Sequence, residues 1–230
     1  MIAFLENSLF FGAFVSLFAY WIGMLLRSKL KSAAVNPLLI SVALVTALLA
    51  ITGIDYQKYY EGAKYISYLL TPATVALAVP LYRQIELLKS NAKAIIAGIA
   101  SGVVSSFLCI LGMALLFGFT HQEYVTFLPK SITTAIGMGV SEELGGYPAI
   151  SAAVIIITGI LGNILGELVF KIFRIEEPVA RGIALGSSSH AIGTAKAMEL
   201  GEVEGAMSSL SIVISGVLTV GAAMLVSGIV

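Results

Sequence analysis

Ser131, Ala135-Ile136-Gly137 and Glu143-Leu144-Gly145 return 56 residues later as Ser187, Ala191-Ile192-Gly193 and Glu199-Leu200-Gly201. Each copy leads into a long uncharged stretch rich in Gly, Ala and Ser. Each also holds a segment of Gly, Ser and Thr too short and too polar to be an ordinary membrane span. A duplicated, hydroxyl-rich insert beside a spanning helix is the layout of a solute site in a secondary transporter.

Composition supports a membrane setting. Apolar residues make up 58% of the 230 and charged residues only 11%, too little charge to cover a soluble domain of this size. The formal net charge is zero, so nothing points to nucleic acid as a partner. One cysteine, Cys109, and two histidines, His121 and His190, leave no disulfide framework and no expected metal or cofactor. Arg27, the first basic residue, follows the first apolar run. That is the wrong polarity for a cleavable leader, so the first segment is expected to be retained.

The pattern predicts an all-α integral membrane protein with a single polytopic domain over 1–230. Six stretches approach the roughly 20 apolar residues of a spanning helix: 9–26, 37–53, 65–82, 94–119, 147–166 and 205–230. The second is slightly short. The third carries Pro72 and Pro80 and is expected to be broken, because proline removes a backbone donor and crowds the preceding turn. Spans one to three occupy 1–93. Span four, an outer hairpin at 128–146 and span five occupy 94–174. An inner hairpin at 179–201 and span six occupy 175–230.

Basic residues set the orientation. Arg27, Lys29 and Lys31, then Arg83, Lys89 and Lys93, then Lys171, Arg174 and Arg181 follow alternate spans; they are nine of the thirteen. Placing these loops in the cytoplasm puts the N-terminus outside. The two inserts then dip into the membrane from opposite faces, as re-entrant segments of an inverted repeat. A competing arrangement in which both inserts cross fully, making eight spans, moves Lys171 and Arg174 outside and breaks the charge rule.

Several residues of these segments are suited to contact a small anion. Thr133, Thr134, Ser188, Ser189 and Thr194 offer hydroxyls that replace hydration or close broken helix ends. Lys130 and Lys196 either offset a carboxylate or snorkel to the surface. His190 either contacts solute or bonds a freed carbonyl. Thr71, Pro72 and Thr74 mark the broken span, and Asn163 bonds an insert or a neighbouring helix. The three serines before His190 lack a nucleophile elbow and a triad acid, so no hydrolase is expected. Gly98, Gly102, Gly112, Gly159, Gly162, Gly166, Gly216 and Gly221 serve close helix packing or a homodimer contact.

Across nearly its whole length the chain resembles the LrgB/CidB family of bacterial membrane proteins. The likeness is carried by Asn36-Pro37-Leu38-Leu39, Thr52-Gly53-Ile54, Pro72-Ala73-Thr74-Val75, Ala78-Val79-Pro80-Leu81-Tyr82, Leu128-Pro129-Lys130-Ser131 with Thr133-Thr134, and Ser189-His190-Ala191 with Gly193-Thr194-Ala195-Lys196. Glu204 to Ser209 completes it, and Ala135 departs from the proline that many relatives place there. The resemblance implies two roles in the bacterial cell membrane. One is a holin/antiholin-like regulator of murein hydrolase export, autolysis and programmed cell death, acting with a small LrgA/CidA-type membrane protein. The other is a carrier of small monocarboxylates such as pyruvate or glycolate. The inverted hairpins favour the carrier as the molecular activity.

Overall fold

A computed structural model describes residues 8, 10–30 and 35–230, except the side chains of Leu70 and Thr74. Lys31, which enters the charge count, and Leu9, the expected start of the first span, lie outside the described residues. All regular structure among the described residues is helical.

The chain divides into two compact units, Met1–Ala76 and Leu77–Val230. The first holds α1 (Phe11–Leu30), α2 (Pro37–Thr52), α3 (Tyr56–Ser67) and α4 (Leu70–Ala76). Its helices approach through glycine: Gly12 lies against the backbone of Tyr59 and Ala63, and Gly23 against Pro37. Ser16 and Tyr59 share a hydroxyl hydrogen bond of 2.7 Å beside the first of these contacts. Helix α2 is closed at both ends. Asn36 accepts from the backbone N–H groups of Leu38 and Leu39, and Gly53 takes the left-handed conformation at φ 69°.

The second unit holds α5 (Ala78–Arg83), α6 (Ile85–Phe117), α7 (His121–Phe127), α8 (Thr134–Glu143), α9 (Pro148–Ile172), α10 (Pro178–Leu200) and α11 (Glu202–Val226), with a final 3-10 turn at Ser227–Ile229. Among the described residues, five segments are long and apolar enough to cross a membrane: α1, the Tyr56–Arg83 run, α6, α9 and Glu202–Ile229. Helix α2 is apolar but shorter. The third expected span is indeed in pieces. Interruptions fall just ahead of each proline, so Pro72 and Pro80 occupy the third residues of α4 and α5, where no helical N–H bond is required.

The outward faces explain why this is a membrane fold. Leu115 and Leu116 on α6, Leu161 and Leu168 on α9, and Val217 and Leu225 on α11 are all exposed. In water such faces would be an association liability; in lipid they are matched to the solvent. The interior is made of small and hydroxyl side chains instead. Ser208, Ser211, Ser215 and Thr219 are buried along α11, and the hydroxyls of Ser211 and Ser215 bond to their own helix backbone.

The first insert differs from its expected bounds. Its first arm is α7, so the segment begins near His121, and Leu128, expected as its first residue, directly follows that helix. The polar residues His121, Gln122 and Glu123 read as an outer loop, yet they form the first turn of a helix. Thr120 and Glu123 make a reciprocal capping box. The Thr120 backbone N–H, then its hydroxyl, hold the Glu123 carboxyl below its usual range. Tyr124 and Val125 then bury the apolar side of α7.

Candidate functional site

Helix α10 is interrupted at Ser189 (φ −132°, ψ 15°) and His190 (φ 42°, ψ −135°). Before the break the chain runs alongside the start of α11: Gly182 meets Glu204, and Gly186 meets Ser208. After it the direction is reversed, with Thr194 bonded to Ser208 at 2.7 Å and Met198 against Gly205. The two arms therefore fold back on each other, and Gly193 sits against the carbonyl of Leu185. Only a residue without a side chain allows so close a crossing.

The first insert repeats this contact pattern 56 residues earlier. Gly137 lies beside Pro129, as Gly193 lies beside Leu185. The Ser151 hydroxyl donates to the Thr126 carbonyl at 2.7 Å, and the equivalent Met207 lies against Gly182. Thr126 also accepts from the Tyr147 backbone N–H at 2.9 Å, which ties the entering arm to the start of α9.

Both turns come to the middle of the unit. Ser106 on α6 approaches the Ser131 hydroxyl at 3.4 Å, and Gly102, one helical turn earlier, faces Ser187. Thus the opening serines of the two sequence copies meet one helix about 6 Å apart along its axis. On α9, Ile155 is touched by Gly137 of the first insert, and its carbonyl accepts from Nε2 of His190 in the second at 2.9 Å. A carbonyl only accepts, so Nε2 carries a proton.

Between α9 and the first arm of α10 lies a cavity of about 480 Å³; Leu161, Leu165 and Val169 on the outer side of α9 line it together with Lys130, Ser187, Ser188 and Ser189. Among the described lining residues Lys130 alone is charged. Its ammonium donates to the Ser131 hydroxyl at 2.9 Å. No described carboxylate pairs with it. The arrangement offers one positive charge beside a row of hydroxyls, suited to a small anion.

The remaining sequence-derived candidates take other places. Lys196 is ion-paired with Glu167 on α9 and with Glu199, and does not line this cavity. The His190 ring is buried against Gly159. The Thr194 hydroxyl donates to the His190 carbonyl at 3.1 Å and closes the break. Asn163 donates to the carbonyl of Ile192 at 3.2 Å, just past it. Thr133 stands at the N-cap position of α8 without a capping bond, and Thr134 is its first residue. Neither lines the cavity. Thr71 and Pro72 belong to the other unit, and the side chain of Thr74 lies outside the described residues. Ser106, Ser131 and Ser187 were not among the candidates, although the repeat itself begins on Ser131 and Ser187.

The Lys196–Glu167 pair ties the returning arm of α10 to α9, and it is testable on its own. Each of Lys196→Glu and Glu167→Lys is expected to lower the melting temperature in detergent, and the double exchange to recover most of the loss. A double variant no better than the sum of the singles would show that the pair contributes nothing.

Long apolar spans around an interior of hydroxyls and glycines, with two chain reversals meeting inside, define a multi-pass helical membrane protein. Residues 16–229 match the LrgB-like family, and the chain belongs to that family. It is 38% identical over 212 residues, covering 92% of either chain, to the antiholin-like protein LrgB of Bacillus cereus (strain B4264). The antiholin-like protein LrgB of Bacillus anthracis (strain CDC 684 / NRRL 3495) matches equally. These relatives are named antiholin-like proteins, not enzymes. No solved structure matches the chain.

Proposed function

We propose that this protein is an antiholin-like regulator of murein hydrolase export and autolysis in a bacterial cell membrane, acting with an LrgA/CidA-type partner. The observation that carries this reading is the 38% identity, over 92% of both chains, to proteins of that name. Expression in a bacterium lacking its own LrgB-type protein is expected to lower detergent-induced autolysis. Unchanged lysis, with the protein shown to be inserted, would count against the regulator.

A second reading, a carrier of small monocarboxylates, is favoured by the Lys130 cavity. Supporting it, α9 starts beside the base of one hairpin, where Tyr147 bonds Thr126, and ends beside the base of the other, where Arg181 packs over Phe170. The hairpins then enter from opposite ends of α9 as an inverted, re-entrant pair, the arrangement that lets a central site face either side in turn. Under this reading purified protein in liposomes takes up labelled pyruvate or glycolate, and Lys130→Gln lowers the rate at least about tenfold, the loss of one charge-assisted hydrogen bond. Uptake insensitive to Lys130 would sink the site; absence of uptake, with or without the partner protein, would sink the carrier.

A further inference from the structure

The first arm of α10 is flanked by two cavities. One is the Lys130 cavity, between that arm and α9. The other, about 510 Å³, lies between the same arm and α6 and runs from Asn91 and Glu177 to Gly102. Gly102, Ala184 and Ser187 wall both. The space exists because the seam is built of small residues. A side-chain carbon at Gly98 would make only an ordinary contact with Ile183, at 3.5 Å, so the helices meet there without crowding.

The opposite end of α6 is packed differently. There Phe107 and Ile110 form one buried cluster with Tyr124, Val125 and Leu128 of the first insert. Tyr124, Val125, Leu128 and Ile132 are each at most 1% exposed. Aliphatic and aromatic side chains at interior density leave no route for water past them. The first-insert end of α6 is therefore sealed; toward the other end Ile95 and Ile99 pack against Ile183, Ala206 and Met207, and the second cavity runs beside that cluster.

We propose that the two cavities join at their shared wall into one aqueous vestibule, open at the Asn91–Glu177 end and closed by the first insert, through which small anions reach Lys130 from one side only. This deepens the carrier reading and rests on it for the identity of what is moved. Glu177 is the one charged residue among those described at the mouth, and Lys130 the one at the far end. An anion is thus admitted against a weak, solvent-screened carboxylate and held by an ammonium in a less polar surrounding.

The test is thiol labelling of the full chain in membrane vesicles, after Cys109→Ala removes its single cysteine. Ser101→Cys reports the outer cavity and Ser188→Cys the Lys130 cavity. Phe173→Cys and Gln122→Cys mark the two ends, both positions being exposed. The probes are two membrane-impermeant methanethiosulfonates, one carrying a sulfonate and one a trimethylammonium group. Ser101→Cys and Ser188→Cys are expected to react from the side that labels Phe173→Cys and not from the side that labels Gln122→Cys. At Ser188→Cys the ratio of anionic to cationic rate is expected to fall about tenfold when Lys130→Gln is added and to survive Lys130→Arg, with Phe173→Cys labelling unchanged as the check on folding. Labelling from the Gln122 side, from both sides or from neither, or a charge ratio indifferent to Lys130, overturns the vestibule. One-sided, charge-selective labelling without uptake would retain the vestibule and reject the carrier; uptake with labelling from the wrong side would do the reverse.

Discussion

Gly186→Ala is expected to lower the melting temperature in detergent by about 5–10 °C, the effect of roughly 1–3 kcal/mol of overpacking in a unit of this size. The added carbon would meet the carbonyl of Ser208, come within 2.8 Å of its Cα, and lie 2.7 Å from the Cβ of Ser211. The first two contacts are backbone, so no rotamer change relieves them. The entering arm of α10 must move away from α11, and the whole reversal moves with it. Gly102→Ala supplies the contrast. Its new carbon meets only the Ser187 hydroxyl, at 3.1 Å, a side chain free to yield by a few tenths of an ångström. The alanine variants should therefore rank Gly102 close to wild type and Gly186 well below it. Equal melting temperatures would mean that the α10–α11 contact is looser than described.

His190 carries the second large effect. His190→Ala loses the bond to the Ile155 carbonyl and the buried ring that fills the space beside Gly159. Together these are worth about 3 kcal/mol or more. The backbone at this position has φ 42°, however, where any residue with a Cβ is strained. His190→Gly loses the same ring and the same bond but relieves that strain, by roughly 1–2 kcal/mol. The expected order of thermal stability is histidine, then glycine, then alanine. An alanine variant as stable as the glycine variant would show that the chain does not take this conformation at the break.

The span pattern was legible because lipid-facing helices need uninterrupted apolar length, and α6, α9 and α11 supply it. The reversal in α10 was legible as well: no ordinary span contains Gly186, three serines and His190 in succession. The start of the first insert was not. His121, Gln122 and Glu123 are as polar as a loop, and only the spacing of Thr120 and Glu123 signals a helix. Lys130 reaches the cavity, whereas Lys196, which lies farther into its insert, does not. The partner of Lys196, Glu167, is 29 residues away on another helix, and such pairing leaves no local mark. The repeat, by contrast, already named Ser131 and Ser187. Their meeting on adjacent turns of α6 is the spatial form of a textual duplication.

Helix α2 has a further consequence. Its 16 residues give an apolar cylinder about 24 Å long, against a hydrocarbon core of about 30 Å. Asn36 and Gly53 stop it at both ends, so it cannot lengthen by winding up flanking residues. A bilayer crossed by a helix of this length has to adapt to it, by thinning around it or by drawing polar flanks inward. Lipid acyl-chain length is thereby the variable that would set the cost of such a crossing.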